Sequence, residues 1–154
     1  MEQELAGGTI LNLCKKLGNI NTISELNELI ARGNLKNIDL TIEDITDQKI
    51  DTLPKDTTSA NFGKLSENAT KEDLCLGILN MVFETVGVMA VFGAQNIKYK
   101  NIIVVGNVAC MPYINTVLNK IEKLHMDSGI KFMIPQNAEF ATVLGAIKAT
   151  NYAT

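Results

Sequence analysis

Apolar residues recur at steps of three and four along much of this chain, and this spacing predicts amphipathic helices. The longest predicted helix runs from about Lys71 to about Gln95 and begins after a capping box, Thr70–Asp73. Its apolar stripe is broad and interleaved with glycines, so we expect packing on more than one side, either inside one domain or partly against a second copy of the chain. The stripe comprises Leu74, Ile78, Leu79, Val82, Phe83, Val86, Met89, Ala90 and Phe92.

Shorter helices are predicted on either side of this one. A second capping box at Thr22–Glu25 opens one of them, and Thr41 is a predicted N-cap. Another helix follows Pro112 and ends near His125, where the helix dipole would stabilise a protonated imidazole. The apolar faces of the first and last helices consist of Ile10, Leu13, Cys14 and Leu17 before Gly18, and of Phe140, Val143, Leu144 and Ile147 between about Ala138 and about Thr150.

A continuous β-branched run, Ile102–Val105, ends abruptly in Gly106-Asn107. Apolar residues without alternation predict a strand covered on both faces, inside a mixed or parallel sheet. A second strand is predicted from Ile130 to Ile134. With a helix between these two strands, the chain is predicted to be α/β with a crossover unit, right-handed by the usual rule.

Two glycine turns are candidate ligand-binding positions. Gly7, Gly8 and Thr9 precede the first helix, where backbone N–H groups at the positive end of the helix suit a phosphate. Gly106 and Asn107 follow a strand, at the end where open α/β sheets bind ligands. Each motif alone is also typical of an ordinary turn or helix start.

A polar segment around Thr58, Ser59, Ala60 and Asn61 is predicted to be a loop. Small hydroxylated side chains leave room for a ligand and serve as donors or acceptors, so such a segment can line a polar pocket. Hydroxyl-rich stretches are equally the commonest loop material.

Composition narrows the function classes. The net charge of −3 and the absence of a Lys/Arg cluster argue against nucleic-acid binding. No apolar run approaches the ~20 residues that span a bilayer, and the residues after Met1 lack the basic region of a signal peptide. We therefore expect a cytoplasmic protein without a membrane partner. Cys14, Cys75 and Cys110 are scattered, which predicts buried apolar residues rather than metal ligands.

Several motifs in order resemble the second half of the type II pantothenate kinases. The first are Gly-Gly-Thr-x-x-x-Leu from Gly7 and Asn-Ile-Asp-Leu-Thr from Asn37. Pro-x-Asp-x-Thr-x-Ala-Asn-Phe-Gly follows from Pro54, then Lys-Glu-Asp-Leu, the Val-Gly-Asn strand end and a terminal Phe-x-x-x-x-Gly-Ala. These motifs extend from Ala6 to Ala146, and their combination is more specific than any one of them.

The resemblance implies the C-terminal, ribonuclease-H-like lobe of the actin-like ATPase fold over residues 1–154, in a family that phosphorylates pantothenate with ATP and magnesium as a homodimer. Gly7, Gly8, Thr9, Gly106 and Asn107 would approach the nucleotide. Thr58, Ser59 and Ala60, with Asn61 nearby, would reach across the dimer towards pantothenate. The long helix would lie at the dimer interface.

The family's N-terminal lobe, with its phosphate loop and catalytic carboxylate, has no counterpart in these residues. Phosphoryl transfer needs positioned cations and an orienting carboxylate, so we expect the isolated chain to be inactive and a separate N-terminal lobe to be its partner. The chain also departs from the family pattern at Ala6, Lys55, Gln136, Ala138 and Thr142. These departures support an alternative, a non-catalytic dimerisation or regulatory module. A third reading, the activator of acyl-CoA dehydratases, would need cysteines in a glycine-rich loop, which this chain lacks.

Overall fold

The computed structural model describes residues 7–50 and 53–151. Within these residues, six α-helices and four short strands alternate with 3₁₀ turns. The helices are α1 Gly7–Gly18, α2 Ile23–Arg32, α3 Ile42–Ile45, α4 Lys71–Asn96, α5 Ile114–Leu124 and α6 Ala141–Asn151, and the strands are β1 Leu40–Thr41, β2 Thr58–Ala60, β3 Asn101–Ile103 and β4 Lys131–Met133.

The long helix α4 is the centre of the fold, and its predicted limits are confirmed to within one residue. Its capping box is present: Thr70 Oγ1 accepts from Asp73 N, and Asp73 Oδ2 accepts from Thr70 N. Helices α1, α2 and α5 and strand β3 all pack against α4. The prediction that α4 packs on more than one side is therefore confirmed, and its first half lies inside the core of this chain.

Helix α4 is also, within the described residues, a helix long and apolar enough to cross a membrane by length and composition. The expectation that no apolar run approaches ~20 residues did not identify this helix, because scattered polar residues interrupt its apolar runs while its mean hydropathy stays high. Just over half of the apolar window, 56%, is buried within the chain's own fold. Such burial is what a core helix requires.

The strands form two separate pairs. Strands β1 and β2 are antiparallel, with Leu40 opposite Ala60. Strands β3 and β4 are parallel, with Ile102 opposite Phe132, and α5 connects them. The predicted crossover unit with a parallel pair is therefore present, but the pair is only two strands wide within the described residues.

Two predicted apolar faces are exposed rather than covered. Strand β3 was expected to be covered on both faces, but Ile103 is 62% exposed and Val105 is 48% exposed. The apolar residues of the last helix are exposed as well, because α6 packs mainly against the 3₁₀ turn that precedes it. The exposed members of that face are Phe140, Val143, Leu144 and Ile147.

Several local predictions are corrected in detail. Gly7 and Gly8 are helical residues of α1 rather than residues that precede it. Leu13 and Leu17 point outward, whereas Ile10 and Cys14 are buried. The segment predicted as a loop contains strand β2, because its backbone pairs with β1. Cys14 and Cys75 are buried as predicted, but Cys110 is exposed.

Candidate functional site

The two glycine turns lie next to each other. A methyl group added to Gly7 would lie 2.5 Å from Val108 Cγ2, so the first turn of α1 packs directly on the 3₁₀ turn Asn107–Cys110. Added to Gly8, the same group would have no neighbour within 4 Å. We call the surface formed by Gly7, Gly8, Gly106 and Asn107 the glycine wall.

Gly106 gives the wall its second open position. Its φ of 97° lies in the left-handed region that favours glycine, and a Cβ there would meet nothing within 4 Å. Its N–H donates to Ala138 O at 2.9 Å, which fixes the turn against the segment before α6. The strand end therefore turns sharply and leaves open space beside its backbone.

The wall offers backbone donors more than side chains. Gly7 and Gly8 lie at the N-terminal end of α1 as it is described, towards the positive end of the helix dipole. Thr9 is half-buried at that end of the helix, and Asn107 is exposed at the other side of the wall. Uncharged donors of this kind suit an anion such as a phosphate.

An exposed cysteine borders the wall. Cys110 Sγ lies 3.3 Å from Glu139 Oε2 and donates to it. The hydrogen bond to the Glu139 carboxylate is the main reason that the pKa of the Cys110 thiol is raised. The thiol is therefore protonated near neutral pH and is a weak nucleophile.

The second predicted group, Thr58, Ser59, Ala60 and Asn61, is held on α4 by one carboxylate. Thr58 Oγ1 donates to Glu84 Oε1 and Asn61 Nδ2 donates to Glu84 Oε2, both at 2.8 Å. Ser59 and Ala60 between them are exposed. We call Thr58–Asn61 the hydroxyl segment; Glu84 holds its two ends, and the residues in its middle are exposed.

A buried aspartate supports the same segment from below. Asp39 is 1% exposed and accepts hydrogen bonds from Phe62 N at 2.8 Å and from Asn80 Nδ2 at 2.9 Å. Burial raises the pKa of Asp39, against the opposing effect of these hydrogen bonds. Asp39, Asn80 and Glu84 thus attach the segment to the rigid central helix.

These three supporting residues were not predicted from the sequence. Asn80 and Glu84 are polar residues four positions apart on the same face of an otherwise apolar helix, which is a signal that could have identified them. Asp39 belongs to the Asn-Ile-Asp-Leu-Thr motif, but no spacing rule connects it with Asn80. Their contact depends on the tertiary fold.

A hollow of about 380 Å³ lies beside the hydroxyl segment, between Thr58 and α5. Its lining includes Glu84 and Lys120, and Lys120 Nζ lies 3.1 Å from Asp56 Oδ2. The hydrogen bond from Lys120 lowers the pKa of Asp56. The hollow therefore carries charges of both signs next to a hydroxyl group.

The structure brings the predicted residues together in two groups rather than one. Within residues 7–50 and 53–151, no hydrogen bond joins the glycine wall to the hydroxyl segment. The same residues contain no group of three or more His, Cys, Asp or Glu side chains that could hold a metal ion. Ala6, a predicted departure from the family pattern, lies outside the described residues.

Comparison with known proteins identifies the family. The profile of the family called Fumble matches residues 3–148 of this chain. The chain therefore belongs to the Fumble family. This is the type II pantothenate kinase family, and the resemblance drawn from the sequence motifs is confirmed.

Individual relatives carry the name of the same enzyme. The chain is 38% identical over 114 residues to pantothenate kinase 1 of Oryza sativa subsp. japonica, covering 69% of this chain and 17% of that protein. It is 27% identical over 154 residues to the type II pantothenate kinase of Bacillus cereus strain AH820, and 28% identical over 146 residues to that of Staphylococcus aureus strain USA300. Those two matches cover 97% and 92% of this chain but 54% of each relative. The chain thus spans about half the length of these bacterial relatives.

Proposed function

We propose that this chain supplies one nucleotide-facing lobe of a pantothenate kinase. That enzyme would catalyse the ATP-dependent phosphorylation of pantothenate in coenzyme A biosynthesis. The lobe would have the ribonuclease-H-like topology of the actin-like ATPases and would work in the cytoplasm. The other half of the enzyme would contribute the phosphate loop and the catalytic carboxylate. The chain by itself would be inactive.

The observation that carries this proposal is the contact between the two glycine turns. They are separated by about a hundred residues in the sequence, yet Gly7 packs on Val108 beside Gly106. Gly8 and Gly106 both face open space. A surface of unobstructed backbone at a helix start and a strand end suits the phosphates of a nucleotide.

The residues of the glycine wall fit the phosphate groups of ATP, because their backbone is open to a ligand. The N–H groups of the first turn of α1 would donate to phosphate oxygens, and the missing side chains at Gly8 and Gly106 would let the backbone approach. Asn107, exposed next to Gly106, would offer an amide to the nucleotide. Magnesium, implied by the family, is expected only with the other half, where it would neutralise charge on the phosphates.

The hydroxyl segment would contact pantothenate in the neighbouring protomer of a homodimer. Two features support this: Ser59 and Ala60 are exposed, and Glu84 holds Thr58 and Asn61 on either side of them. The exposed large apolar residues of α4, Met89 and Phe92, would lie in the dimer interface. Pantothenate carries hydroxyl and amide groups, which hydroxyl side chains recognise well.

Reconstitution tests the proposal. The chain is expressed alone and together with the part of the Bacillus cereus relative that it does not match, and ATP-dependent formation of phosphopantothenate is measured. We expect turnover from the mixture and none from either part. Turnover by this chain alone would refute the claim that a second half is needed.

A non-catalytic dimerisation or regulatory module is the second candidate, and Ala138 favours it. Ala138 stands where the family pattern has glycine; its side chain is 1% exposed and its carbonyl accepts the Gly106 N–H. The methyl group of Ala138 is therefore buried next to the backbone hydrogen bond that holds Gly106 in the glycine wall. Calorimetric titration of the reconstituted mixture with ATP and with pantothenate separates the candidates, because the module would bind neither, whereas the kinase lobe would bind both.

A further inference from the structure

Two buried cysteines meet at the contact between helices α1 and α4. Cys14 lies on α1 and Cys75 on α4, and both are 0% exposed. Cys14 Sγ lies 3.9 Å from Cys75 O and donates to it. The two thiols also interact with each other, and this interaction is the main reason that the pKa of Cys14 is raised and that of Cys75 is lowered. Neither cysteine belongs to the glycine wall or to the hydroxyl segment.

The two helices approach each other closely at this point. Gly18 lies four positions after Cys14 on α1, and a Cβ added to it would lie 2.8 Å from Cys75 Sγ. The absence of a side chain at Gly18 therefore makes room for the Cys75 thiol against α1. A disulfide needs such a close approach, since the two Cα atoms that it joins are usually about 4.4–6.8 Å apart.

Free cysteines in a core ordinarily act as small apolar residues. This pair differs from isolated core cysteines because its two members touch, although they are 61 positions apart in the sequence. The packing of α1 on α4 thus brings together two groups that oxidation can join. The exposed Cys110 has no such neighbour, because its thiol donates to the Glu139 carboxylate.

We infer that Cys14 and Cys75 form a reversible disulfide when the chain meets a peroxide, and that this bond locks α1 onto α4. The Cys75 thiolate would attack one peroxide oxygen, which breaks the O–O bond, forms a sulfenic acid and releases hydroxide. The Cys14 sulfur would then attack the Cys75 sulfur, forming the S–S bond and breaking the S–O bond. Overall, the two thiols lose two electrons and two protons, and hydrogen peroxide is reduced to two molecules of water. A small dithiol would reverse the reaction by thiol–disulfide exchange.

Peroxide reaches the buried pair only when α1 opens transiently. Leu13 and Leu17 on the outer side of α1 are exposed, so this helix is covered on its inner side alone. A reducing compartment would keep both thiols free, and the bond would form only while peroxide is present. Because Gly7 and Gly8 also belong to α1, the crosslink would hold the glycine wall on the central helix. The lock requires no second half of an enzyme, so the chain alone is sufficient to test it.

Oxidation of the native chain followed by peptide mapping tests the pairing. The chain is treated with hydrogen peroxide without denaturant, the remaining thiols are blocked in urea, and the cysteine peptides are identified by mass spectrometry. We expect the Cys14 and Cys75 peptides to be linked, with a mass lower by two hydrogen atoms than their sum, and to separate on treatment with dithiothreitol. Oxidation confined to Cys110, or a disulfide that includes Cys110, would overturn the inference.

The unfolded chain is the control for the role of the fold. In a flexible chain short loops close more readily, and Cys75 and Cys110 are 35 positions apart, compared with 61 for Cys14 and Cys75. Oxidation in urea should therefore give the Cys75–Cys110 disulfide about twofold more often than the Cys14–Cys75 disulfide. The same mixture of products from the native chain would show that the fold does not direct the pairing, which would overturn the inference.

Urea unfolding tests whether the bond locks the two helices. Cys110→Ser keeps the pair and removes the exposed thiol, and Cys14→Ala in this background removes one partner. A crosslink between residues 61 positions apart restricts the unfolded chain, so the oxidised Cys110→Ser chain should unfold at a urea concentration higher by roughly 1 M or more than its reduced form.

The chain that also carries Cys14→Ala should show no such shift after the same treatment, and far-UV circular dichroism checks that it is folded. If it is not folded, the Cys110→Ser chain reduced again with dithiothreitol serves as the reference, and the shift should disappear. An unchanged midpoint in a Cys110→Ser chain shown to carry the disulfide would overturn the lock. Equal shifts in the two variants would overturn it as well.

Discussion

Replacing Gly7 by alanine tests whether the two glycine turns are in contact. The added methyl group would lie 2.5 Å from Val108 Cγ2, closer than carbon atoms approach without displacement. Overpacking of this kind costs about 1–3 kcal/mol. Alanine is favoured over glycine in a helix by roughly 1 kcal/mol, which offsets part of the loss. We therefore expect Gly7→Ala to lower the free energy of unfolding by up to about 2 kcal/mol.

Gly8→Ala is the matched control. It adds the same methyl group to the next residue of the same helical turn, where nothing lies within 4 Å. The helix preference should then act alone and raise the free energy of unfolding by up to about 1 kcal/mol. The difference between the two variants isolates the contact with Val108.

A double-mutant cycle completes the test. In a Val108→Ala background the clashing methyl group is gone, so Gly7→Ala should behave like Gly8→Ala, with a coupling energy of about 1–3 kcal/mol. Urea unfolding followed by far-UV circular dichroism suits this chain, which has no Trp. Equal stabilities of Gly7→Ala and Gly8→Ala, or zero coupling with Val108→Ala, would refute the contact.

Three further predictions concern the charged and reactive groups. Glu84→Ala should lower the free energy of unfolding by about 1–3 kcal/mol and should speed amide hydrogen exchange across the hydroxyl segment. Unchanged exchange in that segment would show that Glu84 does not anchor it. Burial raises the pKa of Asp73, but hydrogen bonds from Thr70, Asn37 and Asn34 outweigh burial and lower it. The stabilising effect of the ionised Asp73 is therefore present above its unfolded pKa of about 3.9 and is lost as pH falls through its folded pKa. In urea unfolding, Asp73→Asn should have a much lower free energy of unfolding than the unchanged chain at pH 7, and this difference should shrink below about pH 4. A thiol reagent should label one cysteine, Cys110, in the native chain and all three cysteines in urea. Glu139→Gln should speed the reaction of Cys110 in the native chain at pH 7, because it removes the carboxylate that raises the pKa of the thiol. Labelling of all three thiols in the native chain would show that Cys14 and Cys75 are not buried.

Local rules were sufficient to predict the helices. The limits of α4 follow from the Thr70–Asp73 capping box and from apolar spacing, and the start of α2 follows from the Thr22–Glu25 capping box. Each of these signals acts within a few residues, so no knowledge of the tertiary fold is needed.

Periodicity could not predict what covers an apolar face. The β-branched run of β3 indicates a strand that is buried in its complete context, yet Ile103 and Val105 are exposed within this chain. The same is true of Val143 and Ile147 on α6. A hydrophobic pattern records that a face is apolar but carries no information on which polypeptide packs on it.

The site was predicted only in part, because some of its residues carry a signal in the local sequence and others depend on tertiary contacts. The glycine turns stand out because glycine permits conformations and approaches that other residues do not. Asp39 does not stand out, because its contacts with Phe62 and Asn80 join residues 23 and 41 positions apart in the sequence. Such contacts are set by the packing of the β1–β2 pair on α4.

The proximity of the glycine wall to a nucleotide is the central claim, and the amide NMR spectrum of the reconstituted protein tests it most directly. The chain is labelled with ¹⁵N, combined with the unlabelled half of the Bacillus cereus relative, and titrated with ATP. We predict that the amide resonances of Gly8, Gly106 and Asn107 shift in a saturable manner. Saturable shifts confined to other parts of the chain, or no shift in a mixture shown to be assembled, would contradict the account.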